Sequence, residues 1–409
     1  MLNFNENKDF PQVLLSKGAI NDLENVIMEQ CESFADVLFV SDEKILRNSR
    51  RFLPINFLKN VKKKLILKTP YASDEYSSLI KNQATNIKMI IGFGSGTIND
   101  LCKISAKELG INYIIIASAA SMNGYLSKNA SISINGHKKT LSATLPKVVI
   151  CDLDILKSAP KRLTKAGVGD SLCFYSCWFD WYLSHKILGT KFDKNLFLML
   201  QGKVDFLLQN YQKFDLDDDA LLEILIEILL ISGWSMTLAG GSYPASQSEH
   251  LISHVMEMKY GSKLRNSLHG LQIALTTLSS AKIQKEILKT EELLLRNTAF
   301  PEQEMVNFFN KNIAAQCKLE YSKKIFTKEK LSEINENLSK RWVEIRSELQ
   351  DIYINERVIR DIFQHFTIKS YPSAFEMDKS EYEECVKYAK FIRDRFTCLD
   401  LNQILIKIL

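Results

Sequence analysis

The feature that most constrains the fold is a repeating pattern. Between about residues 11 and 155, short apolar runs rich in β-branched residues alternate with helix-like segments. The runs at 34–40, 64–67, 88–92, 113–116 and 147–151 are largely apolar and too short for buried helices, so they read as strands covered on both faces. Strands of that kind separated by helices predict a parallel sheet with crossover helices, a Rossmann-like α/β domain whose ligands lie at the carboxyl ends of the strands. After Pro160 the strand signals fade and long amphipathic segments take over, with turns near Gly189, Gly240-Gly241 and Pro301. The expected organisation is an α/β nucleotide-binding domain over residues 1–158 and an all-α domain over 159–409.

Composition excludes several classes of function. The 46% apolar and 25% charged fractions are those of a soluble globular protein, not a disordered one. A net charge of +5 spread over 409 residues, with basic runs as short as Lys62-Lys63-Lys64, gives no nucleic-acid surface. The eight cysteines contain no CxxC pair and read as reduced thiols of a cytoplasmic protein. Cys173 and Cys177, four apart, form half a metal site without a second pair, and read as core. Residues 1–9 lack the basic-then-apolar order of a signal peptide. The apolar stretch at 220–234 carries Glu223 and Glu227 and falls short of the roughly 20 residues a membrane span needs, so it reads as a buried helix and no membrane partner is expected.

Two kinds of residue carry chemistry. Gly92-Phe93-Gly94-Ser95-Gly96-Thr97 follows a strand and precedes a helix starting near Ile98. Its glycines let phosphates approach the backbone, and the free N–H groups and dipole of the helix would hold a pyrophosphate. A plain strand-to-helix turn would use the same residues. The loop at 118–127 follows the next strand and offers small hydroxylated residues, suited to a ribose, a nicotinamide amide or a polyol, or to a polar turn. In the helical half His250 and His254 stand four apart on one helix face, with the charge of Glu249 beside them, and His269 precedes Gly270. With Asp170, in Gly167-Val168-Gly169-Asp170, His250 and His269 make a set of one carboxylate and two imidazoles. That set suits zinc, with nickel or iron also compatible, and leaves a position open.

Taken in order, Gly94-Ser95-Gly96-Thr97-Ile98-Asn99-Asp100, Ser118-Ala119-Ala120-Ser121-Met122-Asn123-Gly124, Asp152-Leu153-Asp154, Ala166-Gly167-Val168-Gly169-Asp170, Pro244-Ala245-Ser246-x-Ser248-Glu249-His250, Leu268-His269-Gly270 and Ile392-Arg393-Asp394-Arg395-Phe396-Thr397-x-Leu399-Asp400 resemble the glycerol-1-phosphate dehydrogenases, especially their bacterial branch. These lie in the superfamily of iron-containing alcohol dehydrogenases, glycerol dehydrogenases and dehydroquinate synthases, and the likeness runs through nearly the whole chain. It implies a dehydroquinate synthase-like fold and NAD(P)H-dependent reduction of dihydroxyacetone phosphate to sn-glycerol 1-phosphate, in glycerophospholipid-type metabolism. It also implies Asp170, His250 and His269 as metal ligands and His254 facing the substrate. Gly94, Gly96, Thr97, Ile98, Asn99 and Asp100 match the pyrophosphate-binding stretch. Ser118, Ala119, Ala120, Ser121 and Ser127 match cofactor contacts near the nicotinamide, and Asp42 falls where an acidic residue holds the adenosine ribose or a surface turn lies. A homodimer or larger assembly acting on a small phosphorylated triose or polyol is the implied form.

Two departures from the family pattern bear on substrate and rate. Asn123 stands where the family has an aspartate that contacts substrate, and an amide cannot act as a base. Tyr243 and Gln247 stand where Arg and Gly are expected. A lyase of the dehydroquinate synthase type, and a weakened nucleotide-binding paralogue, are the competing readings.

Overall fold

The computed structural model describes residues 9–31, 33–134 and 137–401. The segment 1–8, on which most of the reading of the N-terminus rests, lies outside the described residues.

Six parallel strands form one sheet: β1 (Gln12–Ser16), β2 (Val37–Asp42), β3 (Lys63–Leu67), β4 (Met89–Gly94), β5 (Asn112–Ala117) and β8 (Val148–Asp152), in the order β1-β8-β5-β4-β2-β3. The central strands are where the apolar runs placed them, and Met89, Ile90, Ile91 and Phe93 of β4 are all fully buried. At about 1.5–3 kcal/mol per buried large side chain, only a strand covered on both faces draws this much from so few residues.

Three strands were not legible. The edge strand β1 is half-exposed and follows Pro11. The polar pair β6 (Asn129–Ile134) and β7 (His137–Ser142) forms an antiparallel hairpin apart from the main sheet. The run at 34–40 begins as a 3₁₀ turn, Phe34–Asp36, and pairs only from Val37 onward.

From β2 the chain passes outward to β3, then returns to the other side of β2 to form β4. The order reverses there, and a reversal opens a crevice at the carboxyl ends of the strands. Asp42 and Gly94 end those two strands, and Ser118 follows the end of β5.

After β8 every regular element among the described residues is helical. The turns expected at Gly189 and Gly240 are helix ends in left-handed backbone, and Pro301 precedes the helix Glu302–Phe308. By contacts the chain divides into two compact units, residues up to Ser171 with Lys213–Gly240, and Leu172–Gln212 with Gly241–Leu409. The α/β unit therefore takes in nearly all of the helix Lys161–Leu172, and the helix Asp219–Ala239 with it. The apolar stretch at 220–234 is longer in the fold than expected. Its helix has 21 residues, enough by length and composition to cross a membrane, and 72% of its apolar window is buried inside the protein, as in a core helix. The second unit is a helical bundle, its core including Phe179, Leu251, Ile252, Ile283 and Trp342. All eight cysteines are buried, and none is in a disulfide.

Candidate active site

In the α/β unit β4 and β5 run in register, Gly94 beside Ala117, so the turn after β4 adjoins the loop after β5. Ser118 N–H donates to Gly94 O at 3.1 Å. The helix of the glycine turn starts at Gly96, two residues before Ile98. Its N-cap Ser95 makes no side-chain capping bond, and no acidic residue stands in its first turn. The first-turn amides of this 14-residue helix retain the partial positive charge that attracts phosphate.

The side chains of the expected pyrophosphate stretch divide. Ile98 is buried, so only its backbone is available to a cofactor. Asn99 Nδ2 donates to Gly124 O at 3.2 Å, and Asp100 Oδ2 accepts from Ser131 N at 3.0 Å. Both therefore tie the helix to the neighbouring loop and hairpin. Asp42 Oδ1 accepts from Ile45 N at 2.9 Å, capping the helix that follows β2.

The loop at 118–127 is held from several sides. Lys103, which the sequence reading passed over, is fully buried, and its ammonium donates to the carbonyls of Gly124, Ser127 and Asn129 at 2.6, 2.8 and 3.1 Å. Tyr125 OH donates to Ala119 O at 2.9 Å, and Ser127 Oγ accepts from Asn129 N at 3.1 Å. Ser118, Ala120 and Ser121 are buried. Two helices press on the loop through glycines. A Cβ on Gly167 would lie 2.0 Å from Ala120 O, and one on Gly233 would lie 2.3 Å from Asn123 O. At the tip Asn123 N–H donates to Asp170 Oδ2 at 3.1 Å, and its amide Nδ2 donates to Ser232 Oγ at 3.2 Å. Asp170 is itself buried.

In the helical unit the helix Ser248–Tyr260 carries His250 and His254 on one face, ring centroids 6.3 Å apart. His269 opens the helix His269–Leu288, its ring centroid 5.2 Å from that of His250. The three histidines come together; Asp170 and Asn123 belong to the other unit.

Glu249, in sequence a charge beside the two histidines, lies in the core. It is wholly buried, and its Oε1 lies 2.8 Å from His250 Nδ1 while accepting from Gln247 N at 2.7 Å and Cys177 Sγ at 3.0 Å. Burial pushes this carboxyl up, but the His250, Cys177 and Gln247 donors more than offset it, so it lies below its ordinary value. Cys173, Cys177, Glu249 and His250 offer ligand atoms within 4.8 Å of one another. Burial, and then the neighbouring Cys173, raise the Cys177 thiol well above its usual range. The Cys177 thiol donates to the Glu249 carboxylate, which links the two helices by a buried hydrogen bond.

The departures at 243 and 247 belong to one arrangement. Gln247 Nε2 donates to Tyr243 O at 2.8 Å. Tyr243 stacks on Trp181, and the Arg395 guanidinium sits over its ring at 4.6 Å while donating to Ser246 O and Ser242 Oγ. Burial, then Arg393, lowers Arg395 to about 10, so it stays charged at neutral pH. Asp180, also unsignalled in sequence, accepts from Ser248 N and Cys398 N, both at 3.1 Å, and so anchors the start of the histidine helix.

A family profile for iron-containing alcohol dehydrogenases matches residues 14–160. The glycerol-1-phosphate dehydrogenase [NAD(P)+] of Pyrococcus horikoshii is 31% identical over 280 residues, 67% of this chain and 78% of that protein. The chain belongs to the glycerol-1-phosphate dehydrogenase family. The Geobacillus thermodenitrificans relative of the same name is 26% identical over 279 residues, covering 65% of this chain and 68% of its own. A probable glycerol dehydrogenase from Sinorhizobium meliloti shares the fold, with a TM-score of 0.64 at 14% identity over 97% of this chain and 96% of that one. The α/β-then-helical architecture is thus that of the iron-containing alcohol dehydrogenase superfamily.

Proposed function

We propose that this chain reduces dihydroxyacetone phosphate to sn-glycerol 1-phosphate with NADH or NADPH, and runs the reverse oxidation, using one divalent cation held by Asp170, His250 and His269. The observation that carries the reading is the Asn123–Asp170 hydrogen bond, because it joins the loop beside the glycine turn to the carboxylate assigned to the cation. A hydride donor and the carbonyl it reduces must lie within contact of each other, and this loop is common to both.

The donor set fits a cation. Glu249 Oε1 accepts from Gln247 N and Cys177 Sγ and is held below its ordinary value, so as an ionised acceptor 2.8 Å from His250 Nδ1 it favours the proton on that nitrogen. The lone pair is then on Nε2, the tautomer a metal ligand needs. Zinc is our assignment, with nickel and iron accepting the same ligands. When bound, the cation would polarise the substrate carbonyl and the reduced nicotinamide would supply hydride.

The chain's own residues do the rest. The amides opening the helix Gly96–Leu109 bind the cofactor pyrophosphate, and Ser118, Ser121 and Ser127 line the nicotinamide end. The product oxygen needs a proton, and His254 is the group assigned to give it, since the Asn123 amide cannot. A homodimer or larger assembly in the cytoplasm, supplying glycerophospholipid-type synthesis, completes the proposal.

The test is incubation of the purified protein with dihydroxyacetone phosphate and each reduced nicotinamide, with elemental analysis and chiral assignment of the product. Formation of sn-glycerol 1-phosphate supports the reading; no turnover with any of the three metals overturns it. Asn123 favours one second reading, a weakened nucleotide-binding paralogue. Turnover by Asn123→Asp with none by the native chain would select it.

A further inference from the structure

Glu249 sets the His250 proton in the reading above, and the buried groups around Glu249 hold it in that place. Glu249 is followed directly by His250 and is wholly buried, and its partners come from one helix distant in sequence and from the N-cap of its own helix. Cys177 of the helix Phe174–Leu188 donates to Oε1 at 3.0 Å. Ser176 Oγ lies 3.2 Å from Oε2, and Gln247 N donates to Oε1 at 2.7 Å. Such a carboxylate cannot rotate away from His250 without leaving buried donors unmet.

We propose that Glu249 is a positioning residue that locks His250 in the Nδ1–H tautomer and in one ring orientation, with Cys177 holding Glu249 in place, so that His250 Nε2 meets the cation already in ligand form. The inference rests on the reading of His250 as a metal ligand. Carboxylates in this relation to a ligating histidine raise its basicity, and losing them costs about 10–100-fold in metal affinity. The hydrogen bond from Cys177 uses the sulfur as a donor, so serine can replace it and alanine cannot.

The experiment uses the full chain, stripped of metal. Co²⁺ affinity is measured by competition with a chelator, and the His250 ring tautomer of the metal-free protein is read by ¹⁵N NMR. Glu249→Gln should weaken Co²⁺ binding about 10–100-fold, and its His250 signal should move from Nδ1–H toward a mixture of tautomers, with circular dichroism unchanged. Cys177→Ser should stay within about twofold of the native affinity, and Cys177→Ala should lose several-fold, a pattern that packing alone does not produce because alanine and serine differ little in volume.

Failure is separable. If His250→Ala binds Co²⁺ as the native chain does, the metal reading falls, while the tautomer measurement still decides the positioning role. A His250 tautomer unchanged in Glu249→Gln overturns the proposal. So does a second cobalt ion per chain with an intense thiolate-to-cobalt absorption, since Cys177 would then be a ligand and not a donor.

Discussion

Lys103 has its whole ammonium among backbone carbonyls, so its charge is spent on shaping the loop at 118–127. Burial, partly offset by Asp100, lowers it from 10.5 to about 8. Between those values the unfolded chain binds a proton that the folded chain has released. This group's cost to stability is therefore full below about pH 8, on the order of 3 kcal/mol, and vanishes as pH rises through 10.5. Lys103→Met should flatten that rise in urea denaturation and raise the KM for the nicotinamide cofactor about tenfold by loosening the loop. An unchanged pH slope would show that the ammonium is not held as described. At position 123 the amide donates to Ser232 Oγ, and a carboxylate of the same size would accept from that hydroxyl instead. Asn123→Asp should therefore fold normally and raise kcat about 10²-fold by supplying a proton-transfer group. Equal or lower kcat would show that a carboxylate at 123 adds nothing to the proton transfer assigned to His254.

Elements act here through how closely they approach. The helices Lys161–Leu172 and Asp219–Ala239 reach the loop only because residues 167 and 233 lack a Cβ. The atoms met are backbone carbonyls, which cannot swing aside as a side chain would. Gly167→Ala and Gly233→Ala should each cost about 1–3 kcal/mol, read as a lowered denaturation midpoint. Each should also raise the substrate KM, because Ala120 O and Asn123 O move with the loop. Substitutions that lower stability and leave KM untouched would separate the packing of these helices from the site. In the helical unit the corresponding fastener is Asp180, which caps the first turn of the histidine helix through Ser248 N.

For the molecule as a whole, a cation that binds only the folded chain adds to its stability by mass action. At a hundredfold excess over its dissociation constant that contribution is about 2.7 kcal/mol. Chelation should accordingly lower the melting temperature and abolish reduction of dihydroxyacetone phosphate, both restored by zinc. His250→Ala and His269→Ala should melt at a temperature indifferent to chelator. A native chain whose melting point ignores both chelator and zinc would remove the cation from the account.

The strand pattern, the glycine turn and the histidine spacing were legible because each is a local rule. A buried strand must be apolar, a phosphate turn needs room at the backbone, and two side chains on one helix face must be four apart. Asn123 and the lone departures at 243 and 247 were legible as anomalies, though not as parts of a connected arrangement. Lys103, and the burial of Glu249, were missed for the opposite reason. A charge is tolerated in a core only if it is met there, and their partners lie 21–26 and up to 73 positions away in the chain. Sequence alone determined that apolar strands alternating with helices form a parallel sheet, and which residue types the chemistry requires. Only the tertiary structure decided which charges are buried, since that depends on donors and acceptors that no local pattern brings together.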